Sequence, residues 1–124
     1  MEDNYEVRTD KAGTHYYKNN LLHREDGPAI IGSTCTKEWF INGKRHRDDG
    51  PAVESLLGTK EWWFDDKRHR EDGPSVIWHD GEKEWYVNHI VITKEVEEWI
   101  TSNNIPDHKE WSNKEIALFK LKFL

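Results

Sequence analysis

The side chains of this chain that could do chemistry come in copies. His23, His46 and His69 each lead an arginine and a pair of carboxylates, in His23-Arg24-Glu25-Asp26-Gly27-Pro28-Ala29, His46-Arg47-Asp48-Asp49-Gly50-Pro51-Ala52 and His69-Arg70-Glu71-Asp72-Gly73-Pro74-Ser75. Imidazole beside carboxylate is the donor set of a zinc site or of general acid–base catalysis. Spacing speaks against both. If each copy is a hairpin, equivalent histidines lie two strands apart, about 9.5 Å, whereas ligands bonded to one zinc at about 2.0–2.2 Å must lie within roughly 4 Å of each other. Carboxylates adjacent on a strand diverge, and a catalytic constellation is rarely copied three times. The bland reading is histidine packed on tryptophan beside a ladder of salt bridges, with Arg47 opposite Glu38 and next to Asp49. No Gly-rich phosphate loop, Ser or Cys triad or cofactor motif is present, and a lone Cys35 is weak evidence for a nucleophile. The chain is read as a non-enzyme without metal or cofactor.

The second chemistry on offer is recognition. Phe40, Trp63 and Tyr86 interleave with Arg45, Arg47, Arg68 and Arg70, a strip that could stack bases. The acid in the same ladder leaves the strip close to neutral, where a phosphate-tracking groove is net basic. An acidic mimic of nucleic acid needs a carboxylate stripe, which the linear pattern does not supply. Protein binding remains, because exposed Trp, Tyr and Arg are the residue types that anchor interfaces, and Ser55-Leu56-Leu57 offers apolar side chains without an evident core role.

The elements that must position these residues follow from the repeat. Gly27, Gly50 and Gly73 are spaced by 23 residues, and Tyr16, Trp39, Trp62 and Trp85 follow the same grid. An internal period of that length sets the architecture first. The chain has 124 residues, 35% of them hydrophobic, with seven tryptophans and a net charge of -6, so its apolar area sits in a few large side chains and suits a thin sheet. Asn42-Gly43 between apolar runs signals a type I′ hairpin turn, and Asn19-Asn20, Asp65-Asp66 and Asn88-His89 hold the same place. With that turn, Ile41 faces Lys44, Phe40 faces Arg45, Trp39 faces His46 and Glu38 faces Arg47. One face carries Trp39, Ile41, His46 and Asp48 and is the expected core; the other, with Glu38, Phe40, Arg45, Arg47 and Asp49, is expected to be half wet. Asp-Gly-Pro interrupts each ladder and should bend the strand. The connections Gly32-Ser33-Thr34-Cys35, Glu54 to Gly58 and His79-Asp80-Gly81 look unlike one another.

The fourth copy ends in Ile90-Val91-Ile92 with no basic motif, and an apolar strand needs a cover. Thr93 can cap a helix through Val96, Trp99 and Ile100 to about Ser102, and Ser112-Asn113-Lys114-Glu115 is a capping box for a second helix carrying Ile116, Phe119 and Phe123. The expected fold is therefore mainly β, an antiparallel meander of 23-residue β-hairpin repeats with a carboxyl-terminal two-helix cap. It forms a single domain over 1–124, with an arm at 1–13, hairpins at 14–92 and the cap at 93–124. The open edge near Tyr5 to Thr9 leaves pairing into a homodimer open. With one cysteine and no long apolar run, the expected setting is a reducing cytosol without membrane attachment.

The 23-residue period and the Trp-x-x-Asn-Gly-Lys hairpins resemble MORN repeats, and His-Arg-Glu-Asp-Gly-Pro-Ala resembles a variant found in bacteriophage and giant-virus proteins. The resemblance covers roughly residues 14 to 92, with a helical tail similar to that of such proteins. The chain has Glu/Asp-Asp-Gly-Pro where other MORN copies have Gly-x-Gly, so their lipid associations do not carry over. What the resemblance implies is a non-enzymatic viral binding protein in the host cytoplasm. It would inhibit a host defence complex, such as a CRISPR effector, by covering a functional surface. Expected contacts are Phe40, Arg47, Leu56, Leu57, Trp63, Arg70 and Tyr86; the alternative is a nucleic-acid or nucleotide-binding module using the Trp/Arg face.

Overall fold

A computed structural model describes residues 2–124. The chain is mainly β, an antiparallel meander of hairpins followed by two helices. β1 (Tyr5–Asp10) pairs over its whole length with β2 (Gly13–Lys18), so the amino-terminal arm is an entry strand. The sheet continues through Ile30–Gly32, Lys37–Glu38, Val53–Glu54, Lys60–Glu61, Val76–Ile77 and Lys83–Glu84. These inner strands are short: Lys37–Glu38, Lys60–Glu61 and Lys83–Glu84 end at Trp39, Trp62 and Trp85, and the strands opposite them begin just after each Asp-Gly-Pro loop. Beyond Trp39, Phe40–Ile41 pairs with Lys44–Arg45 in a small hairpin, and Trp63–Phe64 with Lys67–Arg68 and Tyr86–Val87 with Ile90–Val91 repeat it. All four turn pairs at the tips have φ between 47° and 82°, the left-handed backbone that type I′ turns require and that Asn, Asp and Gly tolerate best.

Three expectations from the sequence need correcting. Arg47 does not face Glu38. The His46 N–H reaches the Trp39 carbonyl at 3.2 Å, but the chain then leaves the hairpin through Asp48-Asp49-Gly50-Pro51 and returns beside Glu38 as Val53. Arg45 reaches back instead, and its Nη2 lies 2.8 Å from the Glu38 carboxylate. Burial is also not confined to the expected core face. His23 and Trp85 on that face are 4% exposed, but Asp48 and Phe64 there reach solvent, and Phe40 on the other face is only 7% exposed. The fully buried repeat position is the one after each proline, Ala29, Ala52 and Ser75, whose carbonyls accept the N–H groups of Tyr16, Trp39 and Trp62 at 2.7–2.8 Å. Close backbone approach leaves room there only for a small side chain.

The connecting turns, thirdly, are alike in shape despite their sequences. In each, the first N–H reaches the carbonyl four residues on and the fourth N–H returns to the first carbonyl: Gly32 with Thr36 and Cys35, Ser55 with Thr59 and Gly58, Trp78 with Glu82 and Gly81. The fourth position has φ of 64°, 100° and 90°. Glycine fits that conformation without cost, and Cys35 holds it at a cost of about 1 kcal/mol.

α1 (Thr93–Ser102) and α2 (Asn113–Phe123) close the fold. Ser112 and Glu115 form the expected capping box. Thr93 makes no side-chain cap; its hydroxyl instead accepts the Trp85 N–H at 3.0 Å, standing where the Ala52 carbonyl stands for Trp39. Trp85, Val96 and Phe119 form a buried cluster with Trp99, Trp111 and Phe123 packed around it. Among the described residues, no helix is long and apolar enough to cross a membrane.

Candidate functional site

The recurring motif builds one device three times. Arg24, Arg47 and Arg70 lay their guanidinium groups over Tyr16, Trp39 and Trp62, 3.8–4.0 Å from the ring centroids. Nε of each donates to the aspartate two residues on, Asp26, Asp49 or Asp72, at 2.8–3.0 Å. Nη1 donates to the carbonyl of Pro28, Pro51 or Pro74 at 2.9–3.2 Å. Glycine is needed between them, because a Cβ at Gly27, Gly50 or Gly73 would stand 2.7–3.0 Å from the guanidinium carbon. Burial pushes the Arg70 guanidinium below its ordinary range against the opposing pull of Asp72, and the hydrogen bond from Arg47 holds the Asp49 carboxyl below its own.

The histidines tie one copy to the next. The backbone N–H of Asn42, Asp65 and Asn88 donates to Nδ1 of His23, His46 and His69 at 2.9–3.1 Å. With Nδ1 accepting, the proton sits on Nε2, which faces Glu25, Asp48 or Glu71 at 2.7–3.2 Å. Among the described residues, no three His, Cys, Asp or Glu side chains come together as a metal site.

Because the Asp-Gly-Pro segments are loops, their paired carboxylates need not diverge. Asp26, Asp48 and Asp49 have side chains 87, 81 and 86% exposed. One groove runs between the Arg24–Gly27 loop and Trp39, His46, Asp48 and Asp49; the next runs between Asp48–Gly50 and Trp62, Arg70, Glu71 and Asp72, with Ile116 and Lys120 of α2 on its wall. Consecutive loops share a groove, so six carboxylates line the two grooves against three guanidinium groups and the Lys120 ammonium, which lies 3.6 Å from Glu71. The linear pattern hides this stripe as long as the pairs are placed on strands. The signal for it is the proline following each pair, which rules out an unbroken ladder.

The expected contacts fall into three places. Phe40, Trp63 and Tyr86 lie in one column with Arg45 and Arg68 between them, each guanidinium 5.1–5.4 Å from two rings. Glu38 and Glu61 pair with Arg45 and Arg68, and the Tyr86 hydroxyl reaches Glu84 at 3.1 Å. Burial, then the Glu84 interaction, raises the Tyr86 phenol above its usual range. Phe40 is buried in this column, so it presents no free surface. Arg47 and Arg70 belong to the loop devices; the Arg47 backbone N–H donates to the Trp63 carbonyl at 3.3 Å, and Trp63 also lines the second groove. Leu56 and Leu57 sit in a connecting turn at the far end of the strands from the grooves, 71 and 77% exposed. The same turn positions hold Ser33-Thr34 and His79-Asp80, so exposed leucine there is no demand of the turn.

No protein-family model, curated protein or solved structure matches the chain.

Proposed function

We propose that the chain is a non-enzymatic protein-binding module that presents its acid-rimmed grooves to a basic surface of its partner. The observation that carries this reading is the row of exposed carboxylates over the half-buried Trp39 and Trp62. Arginine or lysine from a partner would meet carboxylate charge at the rim, the Trp39 and Trp62 rings below being covered by Arg47 and Arg70. The likeness to MORN-type viral repeats supplies the setting. There the 23-residue hairpins form an array capped by the two helices, and the partner is a host defence complex, such as a CRISPR effector, whose basic nucleic-acid surface is covered. Leu56 and Leu57 add an apolar anchor at the other end of the strands.

The test is capture of a complex from nuclease-treated bacterial lysate by tagged protein. The comparison is with Glu25→Gln/Asp48→Asn/Glu71→Gln, whose amide oxygens still accept from Nε2. The expected result is a complex that survives nuclease, is displaced by added single-stranded nucleic acid and is weakened at least about tenfold in the triple variant. Equal recovery with the triple variant rules the grooves out. The column of Phe40, Arg45, Trp63, Arg68 and Tyr86 favours a second reading, nucleic-acid or nucleotide binding. Its arginines already have carboxylate partners, and binding of that kind would fall steeply with salt.

A further inference from the structure

β1 is the one extended edge of the sheet. It spans six residues, all exposed, whereas the opposite edge, Lys83–Glu84, spans two. Which of its backbone groups are free follows from β2. The Tyr16 N–H donates to Ala29 and the Tyr16 carbonyl accepts from His23, so Tyr16 turns its backbone away from Val7, its partner in the ladder. At the far end, the Asn19 N–H donates to the Asn4 carbonyl. Alternation along the strand then aims Glu6 and Arg8 at β2 and leaves the N–H and C=O groups of Tyr5, Val7 and Thr9 pointing outward. Natural edges are usually blunted by proline, charged side chains or a bulge; Tyr5–Asp10 has no proline or bulge, and its charges at Glu6 and Arg8 are of opposite sign and can pair across a second copy. Tyr5 and Val7 are 63 and 58% exposed.

We infer that this edge pairs with β1 of a second copy, antiparallel about a two-fold axis through Val7, joining the two sheets into one. In that register Val7 faces Val7 and Tyr5 faces Thr9 of the other copy, and all six outward backbone groups are bonded. Glu6 then stands opposite Arg8 of the other copy, twice. Shifting by two residues in either direction puts Glu6 against Glu6 or Arg8 against Arg8, and shifting by one sets outward groups against inward ones. Charge and hydrogen-bond alternation therefore select the same register. Glu6 and Arg8 now hold each other on one strand at 2.6 Å, an exposed pairing easily exchanged for the cross-strand one. A two-fold interface of this kind is closed and stops at two copies.

Sedimentation equilibrium across a concentration series of the full chain tests the inference. The wild type should run at twice the chain mass. Glu6→Arg or Arg8→Glu alone places like charges across the axis and should raise the dissociation constant about tenfold or more. An equimolar mixture of the two variants restores opposite charges and should recover the dimer as a heterodimer. Val7→Pro removes an outward N–H without touching a β1–β2 bond and should give a monomer with unchanged circular dichroism. A wild type monomeric throughout the series, or a dimer indifferent to the charge variants and their mixture, overturns the proposal.

Discussion

Trp62 and Trp85 occupy the same place in successive copies and are covered in opposite ways. Over Trp62 lies the Arg70 guanidinium, itself tied to Asp72 and the Pro74 carbonyl. Over Trp85, whose copy has no such arginine, lies the indole of Trp111, with centroids 5.5 Å apart and planes 28° from parallel. Behind it, Phe119 packs on both Trp85 and Trp99. The repeats thus use a charged group on a thin sheet where the carboxyl-terminal end uses a small aromatic core. A guanidinium can cover a ring while its rim stays in water and holds a loop; an indole needs further apolar neighbours, and the helices supply them. The difference explains how a chain with 35% hydrophobic residues orders so many short strands.

Substitutions at the two ends put this contrast to the test. Phe119→Ala should cost most, about 3–5 kcal/mol for an aromatic removed from a closed cluster, read as a fall in thermal midpoint together with a weaker near-ultraviolet tryptophan signal. A smaller effect than in the repeat variants would mean that the helices are not the better-packed end. Next comes Gly73→Ala, whose methyl displaces the Arg70 guanidinium. The cost should be about 1–3 kcal/mol, since the guanidinium then gives up its hydrogen bonds and its place over the Trp62 ring. Arg70→Ala should cost a similar amount, and the double variant little more than either. Additive destabilisation in denaturant titrations would show that glycine and arginine do not act as one unit.

The smallest effect concerns Asp107, the polar tie between the helical end and the sheet. Its carboxyl is lowered from 3.8 to about 2 by the Lys109 backbone N–H first and the Lys83 ammonium next. A depressed carboxyl stabilises the fold fully above its unfolded value, and that contribution disappears as pH falls through the folded one. The Lys83 ion pair should therefore weaken between about pH 4 and pH 2, and Asp107→Asn should flatten the acid limb of stability in that window. Since the carboxyl is largely exposed, the change is slight; an unaltered acid limb would show that the tie contributes nothing.

The hairpins, their tips and the order of elements are written in the amino-acid sequence. Asn-Gly and its substitutes act through their own φ, and the Ser112–Glu115 box acts within one turn, so both are readable locally. The small buried residue after each proline lies on the same 23-residue grid, though the grid does not say that it is buried. Which arginine meets which acid is settled in three dimensions alone. Arg45 and Arg47 differ by two positions on one apparent strand, and the Asp-Gly-Pro loop separates them in space. The burial of Phe40 and the row of carboxylate pairs belong to the same class, because both depend on how one copy lies against the next. A repeat states its own turns; the interactions between repeats depend on groups 18 to 21 residues apart, which folding alone brings together.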